Sequence, residues 1–163
     1  MAHIHHRKGD FARMEPAKRF GLVDAVFDVL EQYAATLIFV GIDKKAHDGR
    51  YQHPDPVEDL AYRFLLERFN AYVGHQSDHL GLVVCDEQKQ LEVPTRRAHS
   101  RYRQSGTGMM MIDNVIETPF FTPSHWSRML QMRGASTASY WPRIERLLDG
   151  FPNYDGKGLK RFP

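Results

Sequence analysis

The stretch that decides the fold is His79–Gln88, HLGLVVCDEQ. It contains a short apolar run that is punctuated by Gly81 and that ends on Asp86 and Glu87. Such a run predicts a buried strand of an α/β sheet. The two acids lie at the carboxyl end of that strand, where ligands bind in open α/β sheets. They therefore predict a Mg²⁺ site, or simply acids that solvate the strand end and cap the next element.

A second apolar run, TLIFVGI, occupies residues 36–42 and predicts an earlier strand of the same sheet. It also ends on an acid, Asp43, which Lys44 and Lys45 follow. An aspartate beside two lysines is more typical of a solvated turn than of a metal ligand. Both interpretations of Asp43 stay open at this point.

Helical periodicity predicts an amphipathic helix over residues 20–35 and another that runs to about Val73. The second has a strong start, with Asp55 as N-cap, Pro56 at the first helical position and Glu58 three residues after the cap. The remaining predictions are a strand over 109–117, a chain that breaks away at 119–123, helices from Ser124 and over 140–148, and loops over 1–16 and 150–163.

Length and composition predict a single globular domain over residues 1–163. The formal net charge of +2 is compatible with nucleic acid without demanding it. Cys85 is the only cysteine, which excludes an intrachain disulfide and a cysteine-rich zinc site. No stretch approaches the roughly 18 apolar residues of a membrane span, and the start lacks the apolar core of a signal peptide. We therefore expect a soluble, cytoplasmic protein with no membrane partner.

The segment EVPTRRAHSRYRQ, residues 92–104, carries four arginines and is predicted to be partly helical. These arginines are Arg96, Arg97, Arg101 and Arg103. Arg97 and Arg101 lie one helical turn apart, a spacing that suits successive phosphates of a nucleic acid. The alternative is a solvated helix face that lies over the sheet.

Several segments together resemble the DUF-3800 family, a bacterial and archaeal domain of unknown function. The matching segments, in order, are HIHHRKGDF, LIFVGIDKKAH, DLAYRFLLERF, GLVVCDE, TPFFTPSHWSRMLQM and GLKRFP. The resemblance implies a ribonuclease H-like α/β fold, a mixed sheet flanked by helices. It also implies a metal-dependent nuclease or related phosphoryl-transfer activity, in which carboxylates hold Mg²⁺ or Mn²⁺.

The resemblance assigns site residues position by position. Asp86, with neighbouring Glu87, matches the acid that ends a core strand of the family and would bind the metal. Asp43 matches an Asp-Lys after the preceding strand, and Gln131 matches the glutamine of a late Gln-Leu-Ala-Asp motif. The Ala-Asp of that motif is replaced here by Arg133-Gly134, so its acid is absent.

The family's first strand, with an Asp-Glu-Ser-like motif, has no counterpart after Met1. We therefore expect the first strands of the sheet to be missing and a strand such as 36–42 to present an unpaired apolar edge. Such an edge recruits another chain, which predicts a homodimer or a partner that supplies strands.

Three functions remain for the sequence. The first is a nuclease-like domain that is inactive unless acids come from elsewhere in an assembly. The second is a non-catalytic module that binds nucleic acid or protein through the four arginines. The third is a truncated product with no function of its own. A Ser124–His125 hydrolase is disfavoured because no Gly-x-Ser-x-Gly elbow exists.

Overall fold

The computed structural model describes residues 13–76, 79–123, 140–150 and 159–162. Helices and strands are interspersed along these ranges, so the predicted α/β class is confirmed. The described helices are α1 (Pro16–Gln32), α2 (Lys44–Arg50), α3 (Val57–Gly74), α4 (Lys89–Ser105) and α5 (Trp141–Arg146). The described strands are β1 (Phe39–Ile42), β2 (Val84–Asp86), β3 (Phe120–Thr122) and β4 (Leu159–Phe162). None of the described helices has the length and hydropathy that a membrane crossing requires.

The described strands form two small parallel pairs. β1 pairs with β4, from Phe39 opposite Leu159 to Ile42 opposite Phe162. β2 pairs with β3 in a register that places Asp86 opposite Thr122. Parallel neighbours need a long crossover, and α4 lies in the one between β2 and β3.

Three predictions about strands were wrong. The stretch 109–117 is not a strand, because only Val115 pairs there, in an isolated bridge to Gly81. The chain forms β3 just beyond it, where a break from the sheet was predicted. Residues 159–162, predicted as loop, form β4. Both short strands owe their extended form to a distant partner, which local periodicity does not encode.

The predicted burial of β2 holds for one face only. Leu82 and Val84 are 52% and 51% exposed, whereas Val83 and Cys85 between them are half-buried. Side chains alternate between the two faces of a strand, and Val83 packs against the core that α3 and α4 form. Although the run is apolar throughout, only one face of the strand is therefore packed against the core.

Helix α1 packs on the segment that contains α5. Their shared core consists of Val23, Phe27, Leu30, Tyr140 and Ile144, in which the rings of Phe27 and Tyr140 stack with centroids 5.3 Å apart. Arg143 of α5 reaches three acids on α1 and lies 5.2 Å from the Phe27 ring centroid. The predicted helix over 20–35 is confirmed, although it starts and ends a few residues earlier.

A second core joins α3 and α4 to the loop that follows α4. It consists of Leu66, Ala98, Tyr102, Ile112 and Val115. The predicted helix ending near Val73 is confirmed, but its start differs from the prediction. Pro56 is the N-cap, and the Asp55 carboxylate faces Arg63 at 3.8 Å instead of capping the helix.

Candidate functional site

The two acids that follow the central apolar run lie at the carboxyl end of β2. Asp86 is the last residue of the strand and is half-buried. The backbone N–H of Glu87 donates to the carbonyl oxygen of Thr122 at 3.0 Å, so the ladder extends one residue past the strand. Neighbouring residues of a ladder direct their side chains to opposite faces. Asp86 and Glu87 are therefore poorly placed to share one cation.

Asp43 lies at the end of β1, in the other parallel pair. It is the N-cap of α2, and its Oδ1 accepts a hydrogen bond from the backbone N–H of Ala46 at 3.0 Å. An N-cap carboxylate satisfies a helix donor that would otherwise lack a partner. The structure thus gives Asp43 a structural role, and its assignment to a catalytic site stays a prediction.

A metal centre needs several ligands within reach of one ion. Within the ranges that the structure describes, no three histidine, cysteine, aspartate or glutamate side chains converge in this way. Gln131, the fourth residue of the predicted catalytic set, lies outside the described residues, as do Ser124 and His125. A site for Mg²⁺ or Mn²⁺ at Asp86 stays a prediction.

The four arginines that were predicted to bind nucleic acid all lie on α4, which begins three residues after Asp86. The sequence predicted that this segment is only partly helical. In the structure α4 runs unbroken from Lys89 to Ser105, although it contains Pro94. Ala98, His99 and Tyr102 are its buried residues. The arginines Arg96, Arg97, Arg101 and Arg103 are all exposed. They form what we call the arginine face of α4.

Two arginines of this face are engaged with neighbours. Arg96 pairs with Glu92 at 3.0 Å and lies 5.4 Å from the ring centroid of Phe121, a residue of β3. Arg101 pairs with Asp59 of α3 at 3.1 Å. Arg96 is thereby brought toward the β2–β3 pair, and Arg101 toward α3.

Arg97 and Arg103 differ from these two. Among the described residues, neither has a carboxylate oxygen within 4.0 Å of its guanidinium nitrogens. Their charges are therefore not neutralised by a described ion pair, and they remain available to an anionic ligand. The arginine face is the strongest candidate for a binding surface that both the sequence and the geometry support.

A buried polar pair lies under this helix, and no sequence pattern joins its two members. His99 is 1% exposed, and its Nδ1 is 2.7 Å from the hydroxyl of Tyr62 on α3. Burial lowers the pKa of His99, the charge of Arg103 lowers it further, and a polar contact with the Glu117 backbone opposes both. Burial also raises the pKa of Tyr62. Burial therefore favours the neutral form of both groups.

The loop after α4 is held against α3 by one asparagine. Asn70 is 6% exposed, and its Oδ1 accepts from the backbone N–H of Asn114 at 2.9 Å. Its Nδ2 donates to the carbonyl oxygen of Met111 at 3.2 Å. The Nδ2 of Asn114 donates in return to the Asn70 carbonyl at 3.3 Å. This exchange fixes residues 111–114, which belong to the stretch that periodicity predicts to be a strand.

Comparison with known proteins adds no assignment. No protein family, no curated protein and no solved structure matches this chain.

Proposed function

We propose that this chain is a nucleic-acid-binding relative of ribonuclease H-like nucleases that has no catalytic activity of its own. It binds the phosphodiester backbone through the arginine face of α4. The observation that carries the proposal is the placement of four arginines on the exposed side of one helix, two of them without a carboxylate partner among the described residues. Phosphate contacts supply most of the affinity of non-specific nucleic-acid binding.

The ribonuclease H-like fold belongs to this proposal. It is supported by the β2–α4–β3 unit, a parallel pair of strands with an intervening helix, and by acids at the carboxyl end of β2. The proposal that the chain lacks catalysis draws its support from the same region. Strand alternation directs the two acids at the end of β2 to opposite faces, and the described residues offer no group of three metal ligands.

The test is the binding of a fluorescein-labelled single-stranded RNA, a uridine 12-mer, followed by anisotropy at increasing NaCl concentration. The variant is Arg96→Gln/Arg97→Gln. Its matched control is Lys44→Gln/Lys45→Gln, which removes the same charge from exposed positions of α2. Each lost phosphate contact lowers the slope of log K against log salt by about 0.7 for a single strand, so two lost contacts lower it by about 1.4.

The arginine variant is expected to bind more weakly and with the shallower slope, and the lysine variant like the parent. Equal weakening in both variants would show that overall charge, and not the arginine face, attracts the RNA. Absence of binding in the parent would refute the proposal.

The nuclease alternative predicts a different result. A surviving metal site would give saturable Mn²⁺ binding in calorimetry, abolished by Asp86→Asn. Such binding, together with RNA cleavage that EDTA stops, would replace the non-catalytic proposal.

A further inference from the structure

A polar cavity of about 320 Å³ opens beside the arginine face, between the last turns of α4 and the loop that follows. It is lined by His99, Ser100, Arg103, Gln104, Ile112, Asp113 and Thr118. A volume just above about 300 Å³ is at the lower end of the range for small-molecule sites. The cavity is therefore of a size for one compact ligand group.

The walls of the cavity carry opposite charges. Arg103 comes from α4 and Asp113 from the loop, and both side chains are exposed. They line the same space, yet no nitrogen of Arg103 lies within the 4.0 Å of Asp113 that defines an ion pair. A ligand between them would need hydrogen-bond acceptors that face Arg103 and hydrogen-bond donors that face Asp113.

The rest of the lining adds no further charge. Ser100, Gln104 and Thr118 each offer a group that donates and accepts hydrogen bonds. Ile112, 2% exposed, supplies an apolar surface. His99 is buried and held by Tyr62. A simple anion would be repelled by Asp113, and a simple cation by Arg103.

We infer that this cavity binds a single unpaired guanine base of a nucleic acid that lies along the arginine face. Guanine presents O6 and N7 as acceptors, which suit a guanidinium, and N1–H and N2–H as donors, which suit a carboxylate. Sequence-specific binding of single strands commonly uses unstacked bases that are recognised on these edges. This inference rests on the proposed function, since the base would arrive on the bound strand.

Hydrogen bonds hold in place the loop that forms one wall of the cavity. Asn70 of α3 holds the backbone on both sides of Asp113, through Met111 and Asn114. The loop is further tied to the segment that precedes β2, because the Gly81 N–H donates to the carbonyl oxygen of Asn114 at 2.7 Å. Asp113 is thus placed by two anchors, one on a helix and one on the segment that leads into β2.

The test compares a uridine 12-mer that has one central guanosine with one that has adenosine at that position. The parent is expected to bind the guanosine form about five- to tenfold more tightly, as expected for loss of well-placed contacts to one base. Asp113→Asn should abolish this preference. It should not weaken binding of the adenosine form, because it removes a negative charge. Asp48→Asn, at an exposed position of α2, is the charge-matched control and should keep the preference.

A preference that is absent in the parent, or that persists in Asp113→Asn, would overturn the inference and leave the proposed function intact. If neither RNA binds, the proposed function fails, and free guanosine then tests the cavity by saturation-transfer NMR. A guanosine signal that Asp113→Asn removes would support the site, and no signal in the parent would overturn it.

Discussion

Replacing Asn70 by alanine should detach the loop that carries Asp113. The side chain accepts from the Asn114 N–H at 2.9 Å and donates to the Met111 carbonyl at 3.2 Å, and it is 6% exposed. Each hydrogen bond contributes about 1 kcal/mol net, and a buried group left without its partner costs about 1–3 kcal/mol. Since Met111 is itself 48% exposed, water can replace part of its bond. We therefore expect the free energy of unfolding to fall by about 2–3 kcal/mol.

Urea unfolding followed by circular dichroism at 222 nm measures this loss, and hydrogen exchange locates it. The Asn114 amide should exchange faster in Asn70→Ala. Gln90→Ala, an exposed amide side chain on α4, is the control and should change stability by less than about 0.5 kcal/mol. If Asn70→Ala is equally mild and leaves the exchange of Asn114 unchanged, the loop is not held by this side chain.

Asn70→Asp tests the same contacts through the pH dependence of the variant's stability. The carboxylate can still accept from Asn114, but it faces the Met111 carbonyl where the parent has a donor. Burial beside an acceptor should raise the pKa of this aspartate, because only the protonated form can donate. A raised pKa means that the penalty is largest above the folded-state pKa and shrinks as the pH falls below it. Relative to the parent at each pH, the variant should recover stability between pH 7 and pH 4.

Three further predictions concern the frame around the site. Phe27→Ala, at a position 1% exposed, should cost about 3–5 kcal/mol in urea unfolding, whereas Phe20→Ala, 45% exposed, should cost far less. Gly106→Ala should cost at least about 1–2 kcal/mol for the left-handed backbone alone, since φ is +72° and a Cβ would lie 2.8 Å from a carbonyl oxygen. The Arg143 guanidinium lowers the pKa of Glu31, so that pair stabilises the fold above the ordinary carboxyl pKa. As the pH falls through the folded-state value, the parent should lose more thermal stability than Arg143→Gln.

The helices could be predicted because their signals are local. An apolar stripe over α1 and α3 predicts both helices to within a few residues. The start of α3 was misplaced because Asp55 and Pro56 satisfy the cap pattern in sequence, while the structure begins the helix one residue later. A cap pattern states which residues suit a helix end, and tertiary contacts decide which of them occupies it.

The strands were harder to predict because they are short and depend on distant pairing. β3 and β4 consist of three and four residues, too few for a period of two to be recognised. Each lies beside a strand that the sequence did predict. An apolar segment of that length becomes a strand when a neighbour supplies hydrogen bonds, and nothing within the segment specifies the neighbour.

The same difference between local signals and distant contacts applies to the candidate site. The arginine face could be found from sequence, because charges at helical spacing on a polar segment predict an exposed face. The cavity could not, since Asp113 lies in a stretch that the sequence predicts to be a strand and that the structure shows as a loop. What brings Asp113 to the same space as Arg103 is Asn70, more than thirty residues earlier in the chain, whose side chain bonds the backbone rather than any recognisable partner residue. The structure places Asn70 on the buried side of α3, where a polar side chain needs a hydrogen-bond partner, but nothing in the sequence says which loop it holds.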